Sequence, residues 1–144
     1  MRVTHIVIVA TVLLTIIGCE ELELPAANSK LIDPNGGFTL FVSNQSFAID
    51  PVDILVEIDG ELVVSDYFHV GTQHSFVPFT LSLSAGTHRV HIWSEKGDAE
   101  MRIQFELVEH DVGVVTYWYY PKSHYNPTRR QFNFRTQKGP LMIE

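Results

Sequence analysis

VEIDGELV, residues 56–63, sets Asp59-Gly60 between Val56-Glu57-Ile58 and a second apolar run that begins at Leu62-Val63. The two central residues of a tight hairpin both need positive φ, and Asp-Gly tolerates this well. The stretch therefore reads as strand, two-residue turn, strand. Upstream, Ile54, Val56 and Ile58 alternate with Leu55 and Glu57, and Phe38, Leu40 and Val42 alternate with Thr39, Phe41 and Ser43. Downstream, Phe79, Leu81 and Leu83 alternate with Thr80, Ser82 and Ser84, while Met101, Ile103, Phe105 and Leu107 alternate with Arg102, Gln104 and Glu106. These last two have one apolar and one polar face, as expected of antiparallel strands with one side solvated. Lys96-Gly97-Asp98 turns the strand at 88–94 back into the strand at 99–107. Beyond the first 18 residues, no window has apolar residues at i, i+3, i+4 and i+7. Seven or eight short strands with turn signals every eight to twelve residues predict an all-β antiparallel sandwich.

LSAGTHRV, residues 83–90, resembles the tyrosine corner of immunoglobulin-like domains, where Leu, Gly, Tyr and an aliphatic residue recur at this spacing. Together with the hairpin at 56–63 it is similar to bacterial PEGA and related immunoglobulin-like modules. The resemblance implies an immunoglobulin-like sandwich with a structural corner at Leu83, Gly86 and His88. His88 stands where the family has Tyr, and an imidazole nitrogen can make a similar bond to upstream backbone.

The chain opens with Arg2, an apolar run from Ile6 to Ile17, and Gly18 before Cys19. Charge, short apolar run and small residue in that order describe a secretory signal. Ile16-Ile17-Gly18-Cys19 resembles the lipobox of bacterial lipoproteins, which implies that Cys19 becomes the N-terminus of the mature chain and carries fatty acyl groups such as palmitate. Each buried CH₂ contributes about 0.8 kcal/mol, so two or three chains anchor a protein firmly. Cys19 is the sole cysteine, which leaves no partner for an intrachain disulfide. The expected organisation is a signal peptide at 1–18, an acylated cysteine and flexible tether at 19–37, and a β-sandwich at 38–144. Glu20, Glu21 and Glu23 suit a solvated acidic linker and also resemble the surface-export signal of one group of lipoproteins. Asp33-Pro34-Asn35-Gly36-Gly37 is dense in turn formers, so no packed element is expected before Phe38. The resemblance places the protein in the bacterial cell envelope, on the outer membrane or cell surface where there are two membranes.

The residues carry no strong sign of a reaction. His88 and His91 are three apart in a strand, point to opposite faces and cannot share an ion. His69 and His74 flank a turn at Gly71, but a zinc site needs a third ligand that is not evident. No nucleophile elbow or phosphate-cradling glycine loop occurs. Asp50, Asp53, Asp59 and Asp66 are spaced as strand lead-ins and turns rather than as a calcium loop. A domain without such motifs is expected to be a binding or assembly module, not an enzyme, with no cofactor and no metal.

Charge is polarised along the chain. Residues 19–111 hold sixteen carboxylates against Lys30, Arg89, Lys96 and Arg102, whereas residues 112–144 hold five cations against Glu144. An exported acidic protein is a poor partner for nucleic acid. The basic end suits the acidic body of the same chain, an anionic glycan or an envelope protein. Within it, TYWYYPKSHYNPTRRQF at 116–132 splits into Val114, Thr116, Trp118 and Tyr120 on one strand face and Val115, Tyr117 and Tyr119 on the other. Two readings stay open. In one, Trp93, turned outward because Val90 and Ile92 face in, forms with Tyr117, Tyr119, Arg129 and Arg130 an outward platform for a glycan or polymer. In the other, Trp118 is the core tryptophan and the tyrosines cover a sheet end.

Overall fold

The computed structural model describes residues 22–72, 75–109, 111–121 and 129–141, so the signal segment, Cys19, His74, His110 and His124 lie outside the described residues. Among the described residues there are eight strands: β1 (Phe38–Asn44), β2 (Val52–Ile58), β3 (Glu61–Phe68), β4 (Val77–Leu81), β5 (Gly86–Ser94), β6 (Ala99–Leu107), β7 (Asp111–Trp118) and β8 (Gln131–Lys138). They make two four-stranded sheets, in the orders β4-β1-β7-β8 and β3-β2-β5-β6. No helix among the described residues is long and apolar enough to cross a membrane.

The all-β sandwich follows from the alternation. Phe38, Leu40 and Val42 from one sheet meet Val52, Ile54, Val56, Ile58, Val90 and Ile92 from the other, and all are buried. Each such side chain contributes about 1.5–3 kcal/mol by leaving water. Phe105 joins the sheets, stacking on Phe38 with centroids 6.0 Å apart and packing on Phe134 at 5.1 Å. Asp59 and Gly60 take φ of 53° and 83°, the positive values the hairpin needs.

Four features depart from the expectation. β1 runs parallel to β7, pairing Thr39 with Val112 through Asn44 with Tyr117, so the sandwich is not wholly antiparallel. The immunoglobulin constant-type order puts the first strand beside the second; here the first lies between the fourth and the seventh. The strand expected to continue through Leu83 and Ser84 stops at Leu81. Its outer edge is taken by the segment read as a flexible tether: Ile32 bridges Leu81, Asp33 N donates to Thr80 O at 3.2 Å and Ser82 N donates to Leu31 O at 2.8 Å. Unpaired edge groups of β4 need partners, and the preceding chain supplies them.

The connections gather at two ends. Residues 45–51 and 95–98, with the described residues 69–72, 75–76, 119–121 and 129–130, share one, which we call the loop end. Gln45 N donates to Tyr117 O at 2.9 Å, continuing the β1–β7 ladder, and Tyr117 Oη donates to Gly97 O at 2.8 Å, tying the two sheets there. The Asp59-Gly60 turn lies at the opposite end, where Asp59 N donates to Arg89 O near the start of β5.

Candidate binding surface on strands β5 and β6

Strand β5 turns its alternate residues in opposite directions, and its two histidines separate accordingly. His88 faces inward with Val90 and Ile92 and is 7% exposed. Its Nε2 lies 2.8 Å from Ser84 O and its Nδ1 lies 2.7 Å from Asp59 Oδ2. The bond to upstream backbone is the one expected of the corner, and the carboxylate is an addition that the spacing did not reveal. Burial works against charge on the ring, yet the Asp59 and Ser84 acceptors outweigh it and hold the His88 pKa above its usual value. Burial likewise pushes the Asp59 carboxyl up, but the Arg89 N–H and His88 outweigh it and hold it below the ordinary range. Gly86 opens the corner at φ 129°, a conformation side chains avoid. Leu83 packs against the core beside it.

His91 faces out. Cross-strand register sets it between Glu57 of β2 and Arg102 of β6, with Trp93 between Leu55 and Glu100. The His91 ring stacks on Trp93 with centroids 4.4 Å apart and an 18° interplanar angle. Its Nε2 lies 2.8 Å from Glu100 Oε1 and its Nδ1 lies 3.4 Å from Glu57 Oε2. Arg102 Nη2 and Nε donate to the same Glu100 oxygen at 2.7 and 3.0 Å. That guanidinium first, and His91 second, hold the Glu100 carboxyl below its usual value. Glu57, Arg89, His91, Arg102 and Gln104 line a shallow groove of about 470 Å³, and a neighbouring one of about 520 Å³ runs from His91 and Trp93 to Asp98. The outer face of β2, β5 and β6 is thus an open strip around one indole and one imidazole, with the guanidiniums of Arg89 and Arg102 and the carboxylates of Glu57, Glu100 and Glu106.

Of the aromatic residues proposed for a platform, Trp93 lies on this strip as expected. Tyr117 does not reach a surface: it is fully buried, its ring packs on Phe132 at 5.4 Å, and burial pushes its phenol up to about 12. The face assignment of β7 is the reverse of the expectation. Tyr117 is the inward aromatic and Trp118 is the half-buried outer one, with Nε1 donating to Thr116 Oγ1 at 2.8 Å. The reason lies in Gly97, where a Cβ would stand 2.9 Å from Tyr117 Cε2. A glycine loop whose carbonyl accepts from a phenol selects Tyr, because indole has no group at that reach. Tyr119 is half-buried with the Arg130 guanidinium 4.9 Å from its ring centroid, and Arg130 also pairs with Asp98 at 3.6 Å. Asp98 therefore links the Trp93 groove to Tyr119 and Arg130, while Arg129 is exposed beside them.

The carboxylates considered for chemistry serve the backbone. Asp53, 1% exposed, accepts from Ser94 Oγ, Glu95 N and Lys96 N at 2.7, 2.8 and 2.9 Å and so caps the 95–98 loop. Asp50 accepts from Val70 N at 3.2 Å and lies 3.1 Å from His69 Nδ1, and Asp66 accepts from Tyr67 N at 2.8 Å. Among the described residues, no three His, Cys, Asp or Glu side chains are grouped to hold a metal ion. Glu57, Glu100 and Arg102 were not singled out from the sequence, although the turn at 96–98 already sets Glu100 opposite Trp93 and Arg102 opposite His91.

No family model matches the chain, and no curated protein matches it. Among solved structures it is similar to the 5-hydroxyisourate hydrolase of Klebsiella pneumoniae, at 14% identity and a TM-score of 0.38, over 73% of this chain and 99% of that one. A likeness at that level carries no inference about chemistry.

Proposed function

We propose that the protein is a membrane-anchored extracytoplasmic lipoprotein of the bacterial cell envelope, held by acyl chains on Cys19, whose sandwich is a non-catalytic binding or assembly module. The observation that carries the second half is the state of the two histidines on β5. Each has both ring nitrogens engaged by a carboxylate or a carbonyl, so neither presents a free basic nitrogen to a substrate. What remains open to a partner is the strip around Trp93, His91, Arg89 and Arg102. Anchoring is tested by Cys19→Ala, expected to move the protein from the membrane to the soluble fraction and to abolish fatty-acid labelling. Unchanged membrane retention, with no lipid on the wild type, overturns it.

The second reading, a carbohydrate-binding lipoprotein, is favoured by one feature. Trp93 lies beside carboxylates and guanidiniums in an open groove, the combination that stacks on sugar C–H faces and grips hydroxyls. Withdrawal of Tyr117 into the core reduces that platform to Trp93, with Tyr119, Arg130 and Arg129 beyond Asp98. Affinity electrophoresis through gels containing soluble cell-wall glycan tests it. Retardation of the wild type that Trp93→Ala weakens about tenfold supports it; equal mobility of both proteins removes it.

A further inference from the structure

We infer that the loop end of the sandwich faces and touches the bilayer that the Cys19 acyl chains enter, an inference that rests on the lipid anchor proposed above. The first observation is where the chain leaves the fold. Tyr67 Oη donates to Leu22 O at 2.8 Å, and Tyr67 pairs with Asp53 next to the last residue of β3. Lys96, in the 95–98 loop, holds its Nζ 5.9 Å from the same ring. Leu22 is therefore fixed at the loop end. From there the chain runs toward the opposite end, where Ser29 Oγ donates to Glu61 Oε2 at 3.2 Å and Lys30 Nζ lies 3.6 Å from Glu61 Oε1.

Only Glu20 and Glu21 separate Leu22 from Cys19. Three Cα steps span at most about 10 Å however they are arranged. An eight-residue strand such as β3 is about 25 Å long. The tether is too short to bring the opposite end to the membrane surface while the loop end points away from it.

The second observation is the distribution of exposed apolar side chains. Phe47 in the 45–51 connection is 60% exposed, Leu22 is 52%, Val77 at the start of β4 is 45% and Tyr120 is 39%. All four are at the loop end, contributed by four separate segments. Ile32 and Val108 are the two large exposed apolar residues described at the opposite end. A ring with a polar tip such as Tyr120 suits the boundary between headgroups and hydrocarbon. Lys96 and Arg129 add cations for lipid phosphates, and Arg130 is already paired with Asp98. Glu23 and Glu95 balance those two cations, and Glu20 and Glu21 add two further carboxylates, so the apolar tips, Phe47 foremost, make the contact.

The test uses the full lipidated protein in vesicles of phosphatidylethanolamine and phosphatidylglycerol. Acylation blocks the sole native thiol, so Phe47→Cys and Val108→Cys each present one free thiol for a fluorophore. Lipids carrying a nitroxide near the headgroup are expected to quench the label at 47 at least about twofold more than the label at 108. Equal quenching, or stronger quenching at 108, in protein that floats with the vesicles and has acylated Cys19 overturns the orientation alone. Absence of an acyl group on Cys19 by mass measurement overturns the anchor and this inference with it. Shielding of position 47 from aqueous iodide in native membranes but not in the vesicles assigns the loop end to an envelope protein instead.

Discussion

His88 and His91 stand three residues apart on one strand, each bonded at both ring nitrogens, yet one belongs to the core and the other to the surface. His88 is 7% exposed and ties Asp59 in the β2–β3 turn to Ser84 ahead of β5. His91 lies over the sheet with Trp93, Glu57, Glu100 and Arg102 around it. A count of hydrogen bonds does not separate the two. Burial does, because a partner lost inside the protein leaves another group unpaired, while water replaces a partner lost outside. Tyr117 and Trp118 repeat the contrast on β7.

The largest effect is expected on the inward side of β7. Tyr117→Ala removes a fully buried ring and the donor to Gly97 O, and should cost about 3–5 kcal/mol by urea denaturation. Trp118→Ala, on the outer face, should cost about 1 kcal/mol. Equal losses would break the inner–outer distinction. His88→Ala should cost about 2–3 kcal/mol, since it leaves the Ser84 carbonyl and the Asp59 carboxylate without their partner.

The His88 corner also sharpens the contrast through pH. The His88 pKa is raised above its unfolded value of 6.5, so its contribution is complete below that pH and is lost as pH rises through the folded value. The Asp59 pKa is lowered below its unfolded value of 3.8, so its contribution is complete above that pH and is lost as pH falls through the folded value. The pair therefore stabilises most between about 3.8 and 6.5. The stability gap between wild type and His88→Gln should narrow as pH rises above that window, measured from urea midpoints across pH 5 to 9, ends set at about 1.5 units below and 2.5 above the free imidazole value. The smallest effect belongs to His91→Ala. Its partners are solvent-accessible, so stability should change by no more than about 0.5 kcal/mol. A loss as large as that of His88→Ala would mean that the outer network holds the fold.

Much of the architecture is legible in the sequence. Asp59-Gly60 determined a hairpin because few residue pairs accept two positive φ values in succession, and the turn is found at that place. The alternation in residues 99–107 predicted which side of β6 is wet. The outward direction of Trp93 followed from Val90 and Ile92 facing in. The bond from His88 to upstream backbone followed from the corner pattern. Other features were not legible, for physical reasons. Period-two alternation divides residues 114–120 into two faces but gives no sign for which is inner, since both carry aromatics. The choice rests on the 95–98 loop, distant in sequence, whose glycine leaves room for a phenol. The pairing of residues 31–33 with β4 was hidden because turn-forming composition predicts irregular backbone, not whether that backbone finds an edge.

By itself, then, the sequence determined strand content, the tight turns and which residues of most strands avoid water, because these depend on local backbone preference and on hydrophobic period. Only the tertiary structure decided that β1 runs parallel beside β7, that Tyr117 rather than Trp118 fills the core, and that Glu57, His91, Trp93, Glu100 and Arg102 meet on one open face. Each of these depends on contacts between segments far apart along the chain, where packing volume and hydrogen-bond reach choose among faces that local pattern leaves equivalent.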